Sequence, residues 1–140
     1  MSAHDVIERW IAALPDDTTC ERVHSDLWYV RIPGVARSWI PVEIEVMERT
    51  VKVTSQVIPA PDERHADVYE LLLRHNHAAP GVAFSIQGRD PVISLVARIA
   101  HDELDEAKLD LIVGQMVEET EKTFRTILET GFAARLRKSR

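Results

Sequence analysis

Residues 40–47 read Ile40-Pro41-Val42-Glu43-Ile44-Glu45-Val46-Met47, and this stretch decides the fold class. Ile40, Val42, Ile44 and Val46 alternate with Pro41, Glu43, Glu45 and Met47. A period of two puts one set on each face of a strand, apolar on one side and mostly wet on the other. After Glu48-Arg49 the pattern resumes: Val51, Val53, Ser55 and Val57 against Lys52, Thr54, Gln56 and Ile58. Before it, Trp28, Val30 and Ile32 share a face, and Pro33-Gly34 is turn chemistry. Three strands with short links predict an antiparallel meander.

Further along the chain, Val82, Phe84 and Ile86 alternate with Ala83, Ser85 and Gln87, and Gly88-Arg89-Asp90-Pro91 turns the chain. Ile93, Leu95, Ala97 and Ile99 continue as a strand that is apolar on nearly both faces, as expected of a central one. Three helical stripes frame these strands. Ile7, Trp10, Ile11 and Leu14 follow the i, i+3, i+4, i+7 rule from Ser2 to Leu14, with Pro15 as the stop. Val68, Leu71, Leu72 and His75 repeat after Asp62, a good N-cap, with residues 76–81 as the exit. The last stripe starts at Asp102 or Asp105 and runs from Leu109 to Leu128, with Gly131 as its stop. A helix over 105–130 would be about 39 Å long. The expected order is helix, three strands, helix, two strands, helix. A one-sided sheet must be covered by those helices, which makes an α+β domain. Residues 1–134 form one domain in this reading, and 135–140 a basic tail.

The composition fits that reading. The chain has 140 residues and a mass of 15.9 kDa, of which 45% is hydrophobic and 29% charged. That is one globular domain, too apolar to be disordered. Charges interrupt every apolar stretch before about 18 residues, so no membrane span is expected. A net charge of −6 argues against a duplex-binding surface, because phosphate contacts need cations. The exception is the cluster Arg135, Arg137, Lys138 and Arg140, whose default is a solvated end. A single cysteine, Cys20, excludes an internal disulfide. With no apolar leader in the first ten residues, the expected location is cytoplasmic.

Candidate chemistry is sparse. His75-Asn76-His77 spells a nuclease-like tripeptide, but i, i+2 residues do not face each other on a helix, and no further ligand stands nearby. No metal or cofactor site is expected. Cys20 and His24 would sit roughly 13 Å apart along an extended chain, so Cys20 reads as a passive thiol. There is no Gly-x-Ser-x-Gly elbow, and the five glycines form no phosphate loop. The acids of residues 102–110 complement a helix dipole. Trp39 has two readings. If Ile40 faces the core, Trp39 faces out with Pro41 and Met47 as an apolar patch of the kind partners use. Otherwise it lies in the loop and folds back over the core.

Several short runs together resemble the YbjN-like proteins, labelled regulators of bacterial sensory transduction. These are Trp28-Tyr29-Val30-Arg31-Ile32-Pro33-Gly34, Leu71-Leu72-Leu73-Arg74-His75-Asn76, Arg98-Ile99, Leu109-Asp110 with Gly114, and Thr130-Gly131-Phe132. The resemblance covers about residues 3–133. It implies the type III secretion chaperone fold, whose element order matches the one above. It also implies a homodimer that holds partly unfolded segments on apolar patches. It carries over no catalytic residue and no DNA-binding motif. It assigns Asn76 and Gly114 to helix ending and close packing, and Asp110 to a helix surface or polar anchor.

The leading expectation is a non-enzymatic protein-binding module, a chaperone-like or adaptor regulator in a bacterial cytoplasm, with Trp28, Tyr29, Trp39, Pro41 and Met47 as contacts. The alternative is a small-ligand sensor or an enzyme with a pocket between sheet and helices, contacted by Arg74, His75 and Asn76. A third reading, nucleic-acid regulation, would need the basic tail. Mass scaling gives a compact chain roughly 7,000 Å² of surface.

Overall fold

A computed structural model of the chain describes residues 1–79 and 81–138. The chain runs α1 (Ala3–Ala12), β1 (Thr19–His24), β2 (Leu27–Pro33), β3 (Trp39–Val46), β4 (Thr50–Pro59), α2 (His65–Ala78), β5 (Ala83–Gln87), β6 (Val92–Ala100), a single 3₁₀ turn, α3 (Glu106–Gly131) and α4 (Ala133–Lys138). The six strands form one antiparallel sheet in the order β1-β2-β3-β4-β6-β5. The α+β architecture is as the periodicity predicts, with one more strand. β1 was not anticipated because Thr19–His24 is exposed at every position and has no apolar stripe. It exists as an edge strand, zipped to β2 from Thr19↔Arg31 to His24↔Leu27.

Register explains the layering. Trp28 lies opposite Ile44, Val30 opposite Val42, and Ile32 opposite Ile40. Opposed residues share a face, so these side chains make one apolar surface. Ile44 continues it to Val53, and Val53 to Ala97. The helices bury that surface: Ile7 and Trp10 from α1, Val68 and Leu72 from α2, and Leu109, Ile112, Met116 and Ile127 from α3. Each such side chain contributes on the order of 1.5–3 kcal/mol of gross transfer free energy. No helix of the described chain is long and apolar enough to cross a membrane.

The helix ends differ in detail from the sequence reading. Ser2 caps α1 in a reciprocal box: Asp5 N–H donates to Ser2 Oγ at 3.2 Å, and Ser2 N–H to Asp5 Oδ2 at 3.3 Å. That bonding holds the Asp5 carboxyl below its ordinary value. Asp62 does not cap α2. The cap is Arg64, in the left-handed region at φ 50°, and Asp62 instead pairs with Arg135 at 2.6 Å. Residues 76–78 belong to the helix. Asp105 caps α3, accepting from Lys108 N–H at 2.7 Å. Gly131 is the last residue of α3 and not a left-handed stop; it is a close-approach position, since a Cβ there would lie 2.7 Å from Pro61 Cβ and 3.0 Å from Val68 Cγ2. Beyond it residues 133–138 are helical, and the Arg135 guanidinium also covers the Phe132 ring at 5.4 Å. Ser139 and Arg140, and with them the end of the basic tail, lie outside the described residues.

The sheet is split at one end. The β3/β4 ladder runs only from Glu43↔Thr54 to Val46↔Val51. Residues 39–42 pair with β2 alone and 55–59 with β6 alone. The loop between β2 and β3 folds over this gap. Arg37 donates to the Gln56 carbonyl, and the Glu121 carboxylate of α3 accepts from Val35 N–H at 2.9 Å and Ala36 N–H at 2.7 Å. Gly34 makes that tightness possible, since a Cβ would stand 2.3 Å from the Arg37 carbonyl oxygen.

Candidate functional site

The face of the sheet opposite the helices carries the side chains that the alternation left over. Tyr29 lies opposite Glu43, Arg31 opposite Pro41, and Pro33 opposite Trp39. Trp39 is 40% exposed, and the Arg31 guanidinium stacks on its ring at 4.8 Å. Tyr29 and Pro41 are half-buried beside them. The outward reading of Trp39 is therefore the one realised, because Ile40 is fully buried on the other face.

Two of the expected contacts do not belong to this patch. Trp28 is 1% exposed and sits in the core, where its indole N–H donates to Glu8 Oε1 at 3.0 Å. The same alternation that exposes Tyr29 buries Trp28. Met47 is exposed, but it follows the far end of β3, roughly 26 Å from Trp39 at ~3.3 Å per residue. Its carbonyl faces His101 Nε2 at 2.9 Å.

Arg74, His75 and Asn76 do not converge on one pocket. Arg74 points outward and pairs with Glu70 at 3.3 Å. Asn76 is consumed by the edge strand. Its Nδ2 donates to the Phe84 carbonyl at 3.1 Å, and its Oδ1 accepts from Phe84 N–H at 2.6 Å. It acts as a one-residue strand partner for β5, not as a helix stop. His75 and Asn76 line different cavities: Asn76 borders a small apolar one with Leu72, Leu73 and Phe84, and His75 faces Glu119 across α2 and α3 with Nδ1 3.3 Å from Oε2.

Asp110 is the polar anchor the resemblance implied. Its Oδ1 accepts from the Trp10 indole N–H at 3.1 Å, tying α1 to α3. Gly114 is not a close-packing residue, because a Cβ there would meet nothing within 4 Å. It borders an open groove with Trp10, Leu14, Ile32 and Val117. A mid-helix glycine without a packing reason costs helix stability through backbone entropy. Gly114→Ala is therefore expected to stabilise the chain by about 0.5–1 kcal/mol, read as a higher urea midpoint at unchanged slope. A lower midpoint would show that the groove closes in solution.

Cys20 is exposed on the edge strand β1, yet neighbouring atoms partly desolvate its thiol and, with the Glu8 carboxylate, push it up from the ordinary value. A raised thiol pKa lowers the thiolate fraction, which suits a passive residue. His24 does not activate it; His24 Nδ1 faces Asp26 N–H at 3.1 Å. Among the described residues no three His, Cys, Asp or Glu side chains gather as a metal site.

Comparison with known proteins places this geometry. Residues 4–129 match the YbjN family, described as "Putative bacterial sensory transduction regulator". The chain is 32% identical over 109 residues to the uncharacterized proteins Mb0497 of Mycobacterium bovis and Rv0487 of Mycobacterium tuberculosis. The match covers 78% of this chain and 59% of each relative, so the chain spans about three fifths of the curated relatives' length. Among solved structures, YbjN of E. coli, titled a putative transcription regulator, superposes with a TM-score of 0.62 at 12% identity, covering 87% of this chain and 88% of that one. A chain of the heterodimeric ExoU–SpcU complex, from the type III secretion system of Pseudomonas aeruginosa, gives 0.58 at 15% identity, covering 88% and 95%. Those two likenesses speak for the fold, and the sequence match speaks for descent: the chain belongs to the YbjN family.

Proposed function

We propose that this chain is a non-enzymatic protein-binding module, a chaperone-like or adaptor regulator that works as a homodimer in a bacterial cytoplasm. The observation that carries the proposal is the exposed Trp39 on the uncovered sheet face, stacked by Arg31 and flanked by Tyr29 and Pro41. Trp, Tyr and Arg are the side chains that dominate binding energy at protein interfaces. The total exposed surface supports the reading. It is 8353 Å², on the order of 1,000 Å² above the mass-scaling value for a compact chain of this size. A standard interface takes about 800 Å² from each partner. The likeness to a chain of a heterodimeric secretion complex, and the regulator description of the family, point the same way.

The test compares the wild-type chain and Trp39→Ala as baits in quantitative capture from bacterial extract, with solution mass measured in parallel by light scattering. The expected result is a partner held by the wild type and weakened by about 30-fold in the variant, corresponding to ~2 kcal/mol for a central aromatic contact. A mass near twice 15.9 kDa would establish the dimer. Identical capture by both baits would remove Trp39 from the interface, and capture of nothing specific would end the binding-module reading.

A further inference from the structure

The cavity between α2 and α3 contains a carboxylate that the fold does not fully satisfy. Its volume is about 370 Å³. Glu119 is buried, its side chain only 10% exposed, and Oε2 makes no well-formed hydrogen bond; its neighbour is the His75 ring nitrogen at 3.3 Å, an ion pair only when the imidazole is protonated. One helical turn earlier on the same side of α3, Gln115 Oε1 is also buried without a donor. Burying such acceptors unmatched is costly, and natural proteins rarely tolerate it without a reason. Neighbouring Lys122 does not supply the missing donor. Its ammonium binds Glu118 Oε1 at 2.8 Å, and that bond raises the Lys122 pKa. With Lys122 and Glu118 paired to each other, Glu119 is the carboxylate of the lining left to meet a cation. Ala78, Ala79 and Val82 supply apolar wall.

We propose that this cavity binds an organic cation: an ammonium or guanidinium on a short aliphatic stem. The cationic head pairs with the Glu119 carboxylate beside the Gln115 amide, and the stem lies against Ala78 and Val82. A pocket of this size, mostly preformed and with few convergent polar atoms, is typical of small-ligand sites. The cavity shares no lining residue with the pocket beside Trp39, and the proposal is independent of the binding-module reading. The same chemistry is offered by a free diamine and by a lysine or arginine side chain of a bound segment.

The test is a titration of the ¹⁵N-labelled full chain with n-butylammonium, agmatine and Nα-acetyl-lysine methylamide, with 1-butanol as the neutral control. The cations are expected to shift the amides of residues 75–79 and 115–122 saturably, and 1-butanol at least tenfold more weakly. Binding of the blocked lysine as tightly as the free amines would identify the source as a side chain; binding of the free amines alone would identify a small metabolite. Glu119→Gln should weaken cation binding at least tenfold. Ala78→Phe fills the cavity while leaving the carboxylate and imidazole in place, and it should abolish binding even if Glu119→Gln fails to fold. No saturable shift with any cation, equal response to 1-butanol, or undiminished binding by the filled variant would overturn the proposal.

Discussion

Trp28→Ala is expected to cost about 3–5 kcal/mol, the range for deleting a buried large aromatic side chain. Trp28 is 1% exposed. The variant loses the indole's packing and leaves a cavity where β1, β2 and α1 meet. It also breaks a local network. Glu8 accepts from the indole N–H at 3.0 Å and pairs with Arg22 at 3.3 Å, while Arg22 covers the ring at 4.8 Å. His4 stands beside the same ring at 5.7 Å and bonds Asp26 at 2.8 Å. Glu8 and Arg22 are about half exposed, so water satisfies them once the ring is gone. The loss is therefore dominated by packing and the cavity. A domain of this size has a total stability of roughly 5–15 kcal/mol, so the variant sits near its unfolding threshold. Trp28→Phe keeps an aromatic ring in the core, though not the indole N–H, and should lose much less. Urea unfolding followed by circular dichroism measures both. A cost for Trp28→Ala below that of Trp39→Ala would reverse the assignment of which tryptophan is core.

The second large effect is expected from Asn76→Ala, about 2–3 kcal/mol, with a change in association. The side chain makes both hydrogen bonds of a strand partner to Phe84. Truncation leaves a partly buried N–H and C=O without partners, each worth about 1–3 kcal/mol when unsatisfied. It also uncovers the outer edge of β5, and a free edge is a template for another strand. Light scattering at two concentrations should therefore show more self-association than for the wild type, alongside the lower urea midpoint. Asn76→Asp is the informative control. It still accepts from Phe84 N–H but sets a carboxylate against the Phe84 carbonyl, so it should fall between the two. A variant unchanged in both midpoint and mass would mean that Asn76 does not guard the edge.

What the sequence made readable follows from where the physics is local. Strands with one apolar face declare themselves, and Ile40, Val42 and Ile44 are all fully buried as their spacing predicts. Trp28 was legible too, because it shares a stripe with Val30 and Ile32, although its size invited a surface role. β1 was not legible, since an edge strand exposed along its whole length has no stripe to show. The work of Asn76 was hidden for a different reason. Its partner is a backbone, and backbone positions leave no letter in the sequence. A polar amide in the last turns of a helix, followed by a short loop and a strand, is the signal that would have found it. The cavity was half visible. His75 stood out on an apolar stripe, but its counterpart Glu119 is 44 positions away, and only the packing of α2 on α3 brings them together.

The split between β3 and β4 has a mechanical consequence. The sheet is two leaves, β1-β2-β3 and β4-β6-β5, sewn together by four residue pairs near one end. The first leaf is built of successive hairpins, whereas in the second β4 pairs with β6 across the intervening α2 and β5, with Thr50 opposite Ala100. α3 packs against both β3 and β4, and its Glu121 holds the loop that bridges the gap. That helix is the spine across the seam. Along the gap neither leaf lends the other a ladder bond, so the loop held by Glu121 and the helix behind it are what tie the leaves together there. Anything that grips α3 from outside therefore acts on both leaves at once, and anything that loosens it leaves them joined by those four pairs alone.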